Sequence, residues 1–258
     1  MGKFFNVTVK PTIDVAALVA GNIADTEILF DWAAFDVPRG ASKLIGITAR
    51  YQGKNGAAYT PTDFELFFAK TINNTAPGTM GDDGAIVDTH GWFPNIIGKT
   101  FIDASNGSND ANLITGNIIV AGAPGGGTSG QSNQNNTPIS NGLVLEGEPS
   151  SGVNVGYDKL YVSAIAKGTH NWGASTMTVD GTMSTSSPTL TVADLSPVLS
   201  GIGQGDILRD EDGLLFGTVK SVDSATQITL EDNLAATSTN DKVVYNTCPI
   251  TLMLAFER

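Results

Sequence analysis

The chain has 258 residues, of which 41% are apolar and only 16% charged, and a net charge of −12. That length can bury one large core or two smaller ones, while the acidic balance argues against a phosphate-binding surface or electrostatic attachment to an anionic membrane. Thirty glycines and eleven prolines argue against long helices, and the single cysteine, Cys248, excludes an intramolecular disulfide.

Strand signals begin at once. Residues 3–10 alternate and stop at Pro11, with no basic-then-apolar leader before them. The apolar run Val15–Ala20 is too short for a leader and follows Asp14 instead of a basic flank, so no signal peptide and synthesis in a cytoplasm are expected. No stretch approaches the roughly 20 apolar residues of a membrane helix. Further strands are predicted at 26–32, 43–51, 63–70, 96–102, 113–120, 143–145 and 158–167. In the aromatic strand 63–70, Phe64, Leu66 and Phe68 share one face and Glu65 lies on the other, because side chains alternate along a strand. The polar stretches 53–56, 71–84 and 103–112 read as turns and loops. Residues 122–140 are almost wholly Gly, Ser, Asn, Gln, Thr and Pro, a composition that cannot bury a core, so they form a surface loop or an arm.

From about Gly173 the texture changes to short strands at 189–192, 206–209, 214–222, 227–230 and 242–245 with tight turns between them. The turn Asp210–Glu211–Asp212–Gly213 carries the Asp-Gly hairpin signal. Closely spaced short strands suggest a small barrel of SH3-like size. Residues 174–246 hold ten acidic side chains against three basic ones, more than half of the chain's negative balance. A last strand follows from Pro249 to the end, and the apolar run 160–166 is its best-matched partner by length and character. The expected architecture is an all-β, jelly-roll-like antiparallel sandwich over residues 1–173, completed by 247–258, with a small barrel inserted at 174–246.

The ordered series Val7-Thr8-Val9-Lys10-Pro11, the segment from Thr12 to Asn22, the strands around 35–39 and 43–50, and Pro61-Thr62-Asp63-Phe64-Glu65-Leu66-Phe67-Phe68 with its Pro/Asp loop resembles a group of bacteriophage virion structural proteins. These are β-sandwich proteins of the particle that include capsid decoration or cement proteins. The run from Gly205 to Gly213 with Gly217-Thr218-Val219-Lys220-Ser221-Val222 is similar to small barrel modules of phage head and tail proteins. The resemblance implies a homo-oligomeric building block that binds the major capsid protein or other virion proteins. The alternative it leaves open is a tail, fibre or baseplate component that binds a host-surface glycan.

Candidate chemical sites are sparse. Asp82, Asp83 and Asp88 offer hard oxygen ligands in a Gly-rich loop, although a solvated turn is the plainer reading. Asp210, Asp212 and Gly213 begin like a calcium loop, but the twelfth position is Ser221 instead of a closing Glu, so a hairpin turn fits better. Neither a phosphate loop ending in Gly-Lys-Ser/Thr nor a Gly-x-Ser-x-Gly elbow occurs. Cys248 would need a nearby histidine to act as a nucleophile and reads as a buried small hydrophobe. His90 and His170 each precede a tryptophan by two residues, which makes Trp92 and Trp172 candidate partner contacts, because tryptophan is enriched at interface hot spots. No enzyme activity, cofactor or metal is expected.

The segment 122–140, with Gly125 and Asn135 as candidate contact residues, is expected to order only against a neighbouring subunit. Limited proteolysis should then cut within 122–140 in free protein and spare it in intact particles. Equal cleavage in both states speaks for an inconsequential loop.

Overall fold

The fold is seen in a computed structural model that describes residues 2–51, 62–81, 84, 86, 91–102, 118–121, 143–148, 156–171, 177–193 and 202–258. The expected turns at 53–56 and 103–112, the segment 122–140 with Gly125 and Asn135, and the residues Asp82, Asp83, Asp88, His90 and Trp172 lie outside the described residues. In chain order the elements are β1 (Phe4–Val9), α1 (Val15–Ala20), β2 (Asn22–Ile23), β3 (Ile28–Pro38), β4 (Ser42–Tyr51), β5 (Phe64–Lys70), β6 (Ile96–Ile102), β7 (Ile118–Ala121), β8 (Leu143–Leu145), β9 (Tyr157–Ala166) and β10 (His170–Asn171). They continue as β11 (Thr189–Thr191), β12 (Ile207–Asp210), β13 (Leu215–Ser224), β14 (Gln227–Leu230), β15 (Val244–Asn246) and β16 (Ile250–Glu257).

The protein is an all-β antiparallel sandwich. One sheet runs β1-β16-β4-β7, with β8 pairing β4 beyond the end of β7, and the other runs β3-β9-β5-β6. The chain passes repeatedly from one layer to the other, and the β1-β16-β4-β7 sheet joins strands from both ends of the sequence. The alternation read from sequence sets the core. Phe64, Leu66 and Phe68 are fully buried with Leu160, Val162 and Ala164, and they share one cluster with Ile47, Ala49, Leu252, Leu254 and Phe256 of the other sheet. Glu65 points to the opposite face, as expected, and its carboxylate meets Lys99 at 2.6 Å and Lys167 at 3.5 Å.

The partner expected for the last strand is corrected. β16 pairs with β1 and β4, from Phe4↔Glu257 to Val9↔Leu252 and from Ile250↔Tyr51 to Glu257↔Lys43, while the run 160–166 lies in β9, between β3 and β5. The two runs match because both are central strands that face each other's layer. Matched apolar length reports a shared core and does not specify a hydrogen-bonded ladder.

Sequence reading also left α1 unassigned. Its single turn and a half is fixed by its ends: the Asp14 carboxylate accepts from the Ala16 N–H at 2.6 Å, and Gly21, at φ 87°, donates its N–H to the Ala17 carbonyl. Val15, Ala17 and Leu18 are buried in the sandwich cluster.

A second hydrophobic cluster is drawn wholly from the stretch between Met177 and Val244, with Phe216, Val219, Leu208 and Leu230 fully or almost fully buried. Its sheet runs β11-β14-β13-β12-β15. The segment around Thr178 and Val179 bridges to Val243 beside β15 and to Val192 beside β11, so it ties together the two outer strands of that sheet. The stretch is anchored to the sandwich at three points. The Thr247 N–H, on the sandwich side, donates to the Ile207 carbonyl at 2.9 Å. Lys10 donates to the buried Asp206 carboxylate and to the Gln204 carbonyl, each at 2.6 Å. Tyr245 is buried in the sandwich cluster, against which Val243 also packs.

These anchors give the deletion of 174–246, closed by a short Gly/Ser linker, a definite expected outcome. The sandwich core does not depend on the second cluster, so the product should fold by circular dichroism and resist proteolysis. It should also be less stable than the parent, because removing Tyr245 uncovers apolar surface that contributes roughly 1.5–3 kcal/mol when a large side chain is fully buried. An unfolded product speaks against two separable cores.

Candidate interaction surface

The two outer faces of the sandwich differ. The outside of the β3-β9-β5-β6 sheet is covered by the chain's own loop, in which Met80 and Trp92 cluster with Ile28 and Ile165 and pack against Trp32, Phe67 and Ile96. That loop is pinned by polar contacts. Asp31 accepts from the Thr79 hydroxyl at 2.5 Å and the Met80 N–H at 3.0 Å. Trp32 donates its indole N–H to the Gly78 carbonyl at 2.9 Å, and the Asn95 amide donates to the Lys70 carbonyl at 2.7 Å. Trp92, a candidate partner contact by sequence, is 8% exposed inside this cover, and the aromatic offered at the surface is its neighbour Phe93, 65% exposed. A sequence pattern cannot separate them, since both are large aromatics in one turn.

The outside of the β1-β16-β4 sheet has no comparable cover among the described residues. Strand register lays its side chains out in rows: Phe4, Glu257, Lys43 and Val144; then Asn6, Ala255 and Gly46; then Thr8, Met253 and Thr48. Phe4, Val144 and Met253 are 69%, 61% and 40% exposed. The charges on this face are Lys43 and Glu257, which pair at 3.6 Å, and Arg50, which stands opposite Thr251 in the next row. The result is a nearly uncharged platform of small polar and apolar groups. The three large apolar side chains are spaced across it, Phe4 and Val144 at opposite ends of one row and Met253 two rows along.

The remaining candidates resolve into structural roles. Asp210 is buried, its Oδ1 accepting from the N–H groups of Asp212 and Leu214 at 3.0 and 2.8 Å and its Oδ2 from the Ser238 hydroxyl at 2.7 Å. It therefore fixes the hairpin between β12 and β13. Lys242 bridges Glu211 at 2.8 Å and Asp212 at 2.9 Å, and these carboxylates hold its ammonium well above the usual lysine range. Among the described residues no group of three or more His, Cys, Asp or Glu side chains is placed to hold a metal ion. An open groove of about 820 Å³ separates α1 from this hairpin, lined by Val15 and Val19 on one side and Arg209 and Asp212 on the other. Cys248 is fully buried, and burial raises its thiol pKa. No protein-family model matches this chain, and no curated protein matches it.

His170 is fully buried where β10 pairs with β2, edge-on to Phe64 at 6.3 Å and with Nε2 3.2 Å from the Asp63 carbonyl. Burial lowers its pKa to about 4, against a small opposing effect from that carbonyl. The folded state therefore refuses a proton that the unfolded chain accepts near pH 6.5. The stabilisation is complete above about pH 6.5, falls as pH drops towards 4, and amounts to roughly 3 kcal/mol across that window. Denaturant titrations at pH 7 and pH 4.5 should show the loss, and His170→Gln should flatten the slope. An unchanged slope in the variant assigns the pH dependence elsewhere.

Proposed function

We propose that this chain is a non-enzymatic structural component of a bacteriophage particle, of the decoration or cement type, which binds the assembled shell through the outer face of its β1-β16-β4 sheet. The nearly uncharged platform carrying Phe4, Met253 and Val144 supports this reading. On a chain of net charge −12, a face whose charges are the Lys43–Glu257 pair and Arg50 carries no acidic excess and can be covered with little charge left to desolvate. The binding mechanism is burial of that face across joints between shell subunits, multiplied by particle symmetry. The acidic stretch of 174–246, which we read as a small SH3-like barrel, would project to solvent, where its charge favours solubility.

Purified empty shells of the phage that encodes the chain provide the test. The unmodified protein should bind them saturably and raise their resistance to heat or denaturant. Met253→Glu places a charge at the centre of the platform and should weaken binding by about tenfold or more, a penalty of at least about 1.4 kcal/mol. Its own unfolding midpoint should stay near the parent's, since Met253 is already 40% exposed. Absence of binding by the unmodified protein, or equal binding by the variant, overturns the reading. A strong signal on a glycan array would instead point to an appendage that contacts the host surface.

A further inference from the structure

The edge of the platform sheet is as informative as its face. β1 is an outer strand, hydrogen-bonded on one side only, to β16. Lys3 and Arg258 exchange both of their backbone hydrogen bonds, each at 2.9 Å. In an antiparallel ladder bonded pairs recur at every second residue. Residues Phe5, Val7 and Val9 therefore also bond inward to β16, and the backbone groups of Phe4, Asn6 and Thr8 face the open edge. These three residues have exposed side chains. Among the described residues no strand pairs that edge.

Natural edge strands are commonly blunted by a charge, a proline, a bulge or a short length. β1 has none of these. Its sequence is Phe-Phe-Asn-Val-Thr-Val, uncharged and β-favouring throughout, and its pairing with β16 is continuous over all six residues. Lys3, which extends the ladder by one pair with Arg258, and Lys10 and Pro11 flank it.

We infer that β1 is a self-association edge: two copies of this chain pair β1 to β1, antiparallel about a two-fold axis beside Asn6, and join their platform sheets into one. The register follows from the geometry. Only Phe4, Asn6 and Thr8 present outward donors and acceptors, so a two-fold arrangement that uses all of them sets Asn6 opposite Asn6 of the second copy and Phe4 opposite Thr8. Each of these pairs then exchanges both of its hydrogen bonds. The same register sets Lys3 opposite Val9 and Lys10 opposite Gly2, so no like charges face each other across the junction. A two-fold axis normal to the sheet keeps both outer faces on one side. Phe4, Asn6 and Thr8 of each copy thereby become the middle of a platform of doubled width. This inference gives a surface to the self-association expected of a shell-binding protein and rests on that reading for its biological use, while its geometry stands on β1 alone.

Cysteine cross-linking of the full chain reads the register directly. Residues opposite each other in a bonded antiparallel pair have Cα atoms about 5.5 Å apart, within the disulfide range of about 4.4–6.8 Å. Asn6→Cys should cross-link into a covalent dimer under mild oxidation, and Thr8→Cys alone should not, because its partner is Phe4. The double variant Phe4→Cys/Thr8→Cys should cross-link again. Native Cys248 is buried and serves as the internal negative control. Backbone amide exchange at Phe4, Asn6 and Thr8 should slow with rising protein concentration in the unmodified chain. Asn6→Lys, which brings two ammonium groups together on the axis, should abolish that protection while circular dichroism stays unchanged. Failure of Asn6→Cys to cross-link, or equal cross-linking by Thr8→Cys, overturns the pairing. A protein that binds shells yet fails these tests loses the edge and keeps the shell reading; one that dimerises by β1 but ignores shells does the reverse.

Discussion

The structure depends on the last strand lying in the middle of a sheet. β16 has β1 on one side and β4 on the other, and its inward residues Leu252, Leu254 and Phe256 are fully buried against the opposite layer. The ladders of β16 with β1 and β4 join residues far apart in sequence, as the pairs Phe4↔Glu257 and Lys43↔Glu257 show. Closing such distant contacts is entropically costly before any burial compensates. The fold therefore concentrates its apolar side chains where they act together, in a single cluster that spans both sheets.

The same constraint explains how a second core sits within the chain without disturbing the first. The stretch from Met177 to Val244 falls between β10 and β16 in chain order, and its cluster draws on no residue outside it. Its anchors use groups with little freedom to wander. Asp206 is fully buried and accepts from Lys10, from the Gly203 N–H and from the Asn246 amide, the last two at 2.8 Å. A buried carboxylate with that many donors is satisfied only in one geometry, since moving Lys10 away would leave charge in a place without water. The junction is consequently an oriented attachment.

Polar surface is distributed with equal economy. One outer face of the sandwich is hidden by the loop that carries Met80 and Trp92, while the other keeps Phe4, Met253 and Val144 in contact with water. A protein with a low charge density and a bare neutral sheet has a surface suited to being covered. Pairing through β1 and seating through the platform would use contiguous parts of one sheet, so self-association and attachment would reinforce each other in an assembly where each contact is repeated.

The sequence by itself determined most of the strands and the facing of their side chains, although not the short helix α1. Alternation in residues such as Phe64–Glu65–Leu66 and Leu252–Met253–Leu254 dictates which side chains go inward, because a strand turns successive residues to opposite faces. The Asp210–Gly213 hairpin was likewise legible, since its Asx-type contacts are local. Pairing was decided only in the tertiary structure. The apolar run 160–166 and the last strand are interchangeable by composition, and only the packing of two layers places one opposite the other instead of beside it. Exposure was decided there too: Trp92 and Phe93 are adjacent aromatics, yet the folded loop buries one and presents the other. The open edge of β1 and the bare face beside it are properties of strand order, and strand order is set by contacts between residues far apart in sequence, which no local pattern encodes.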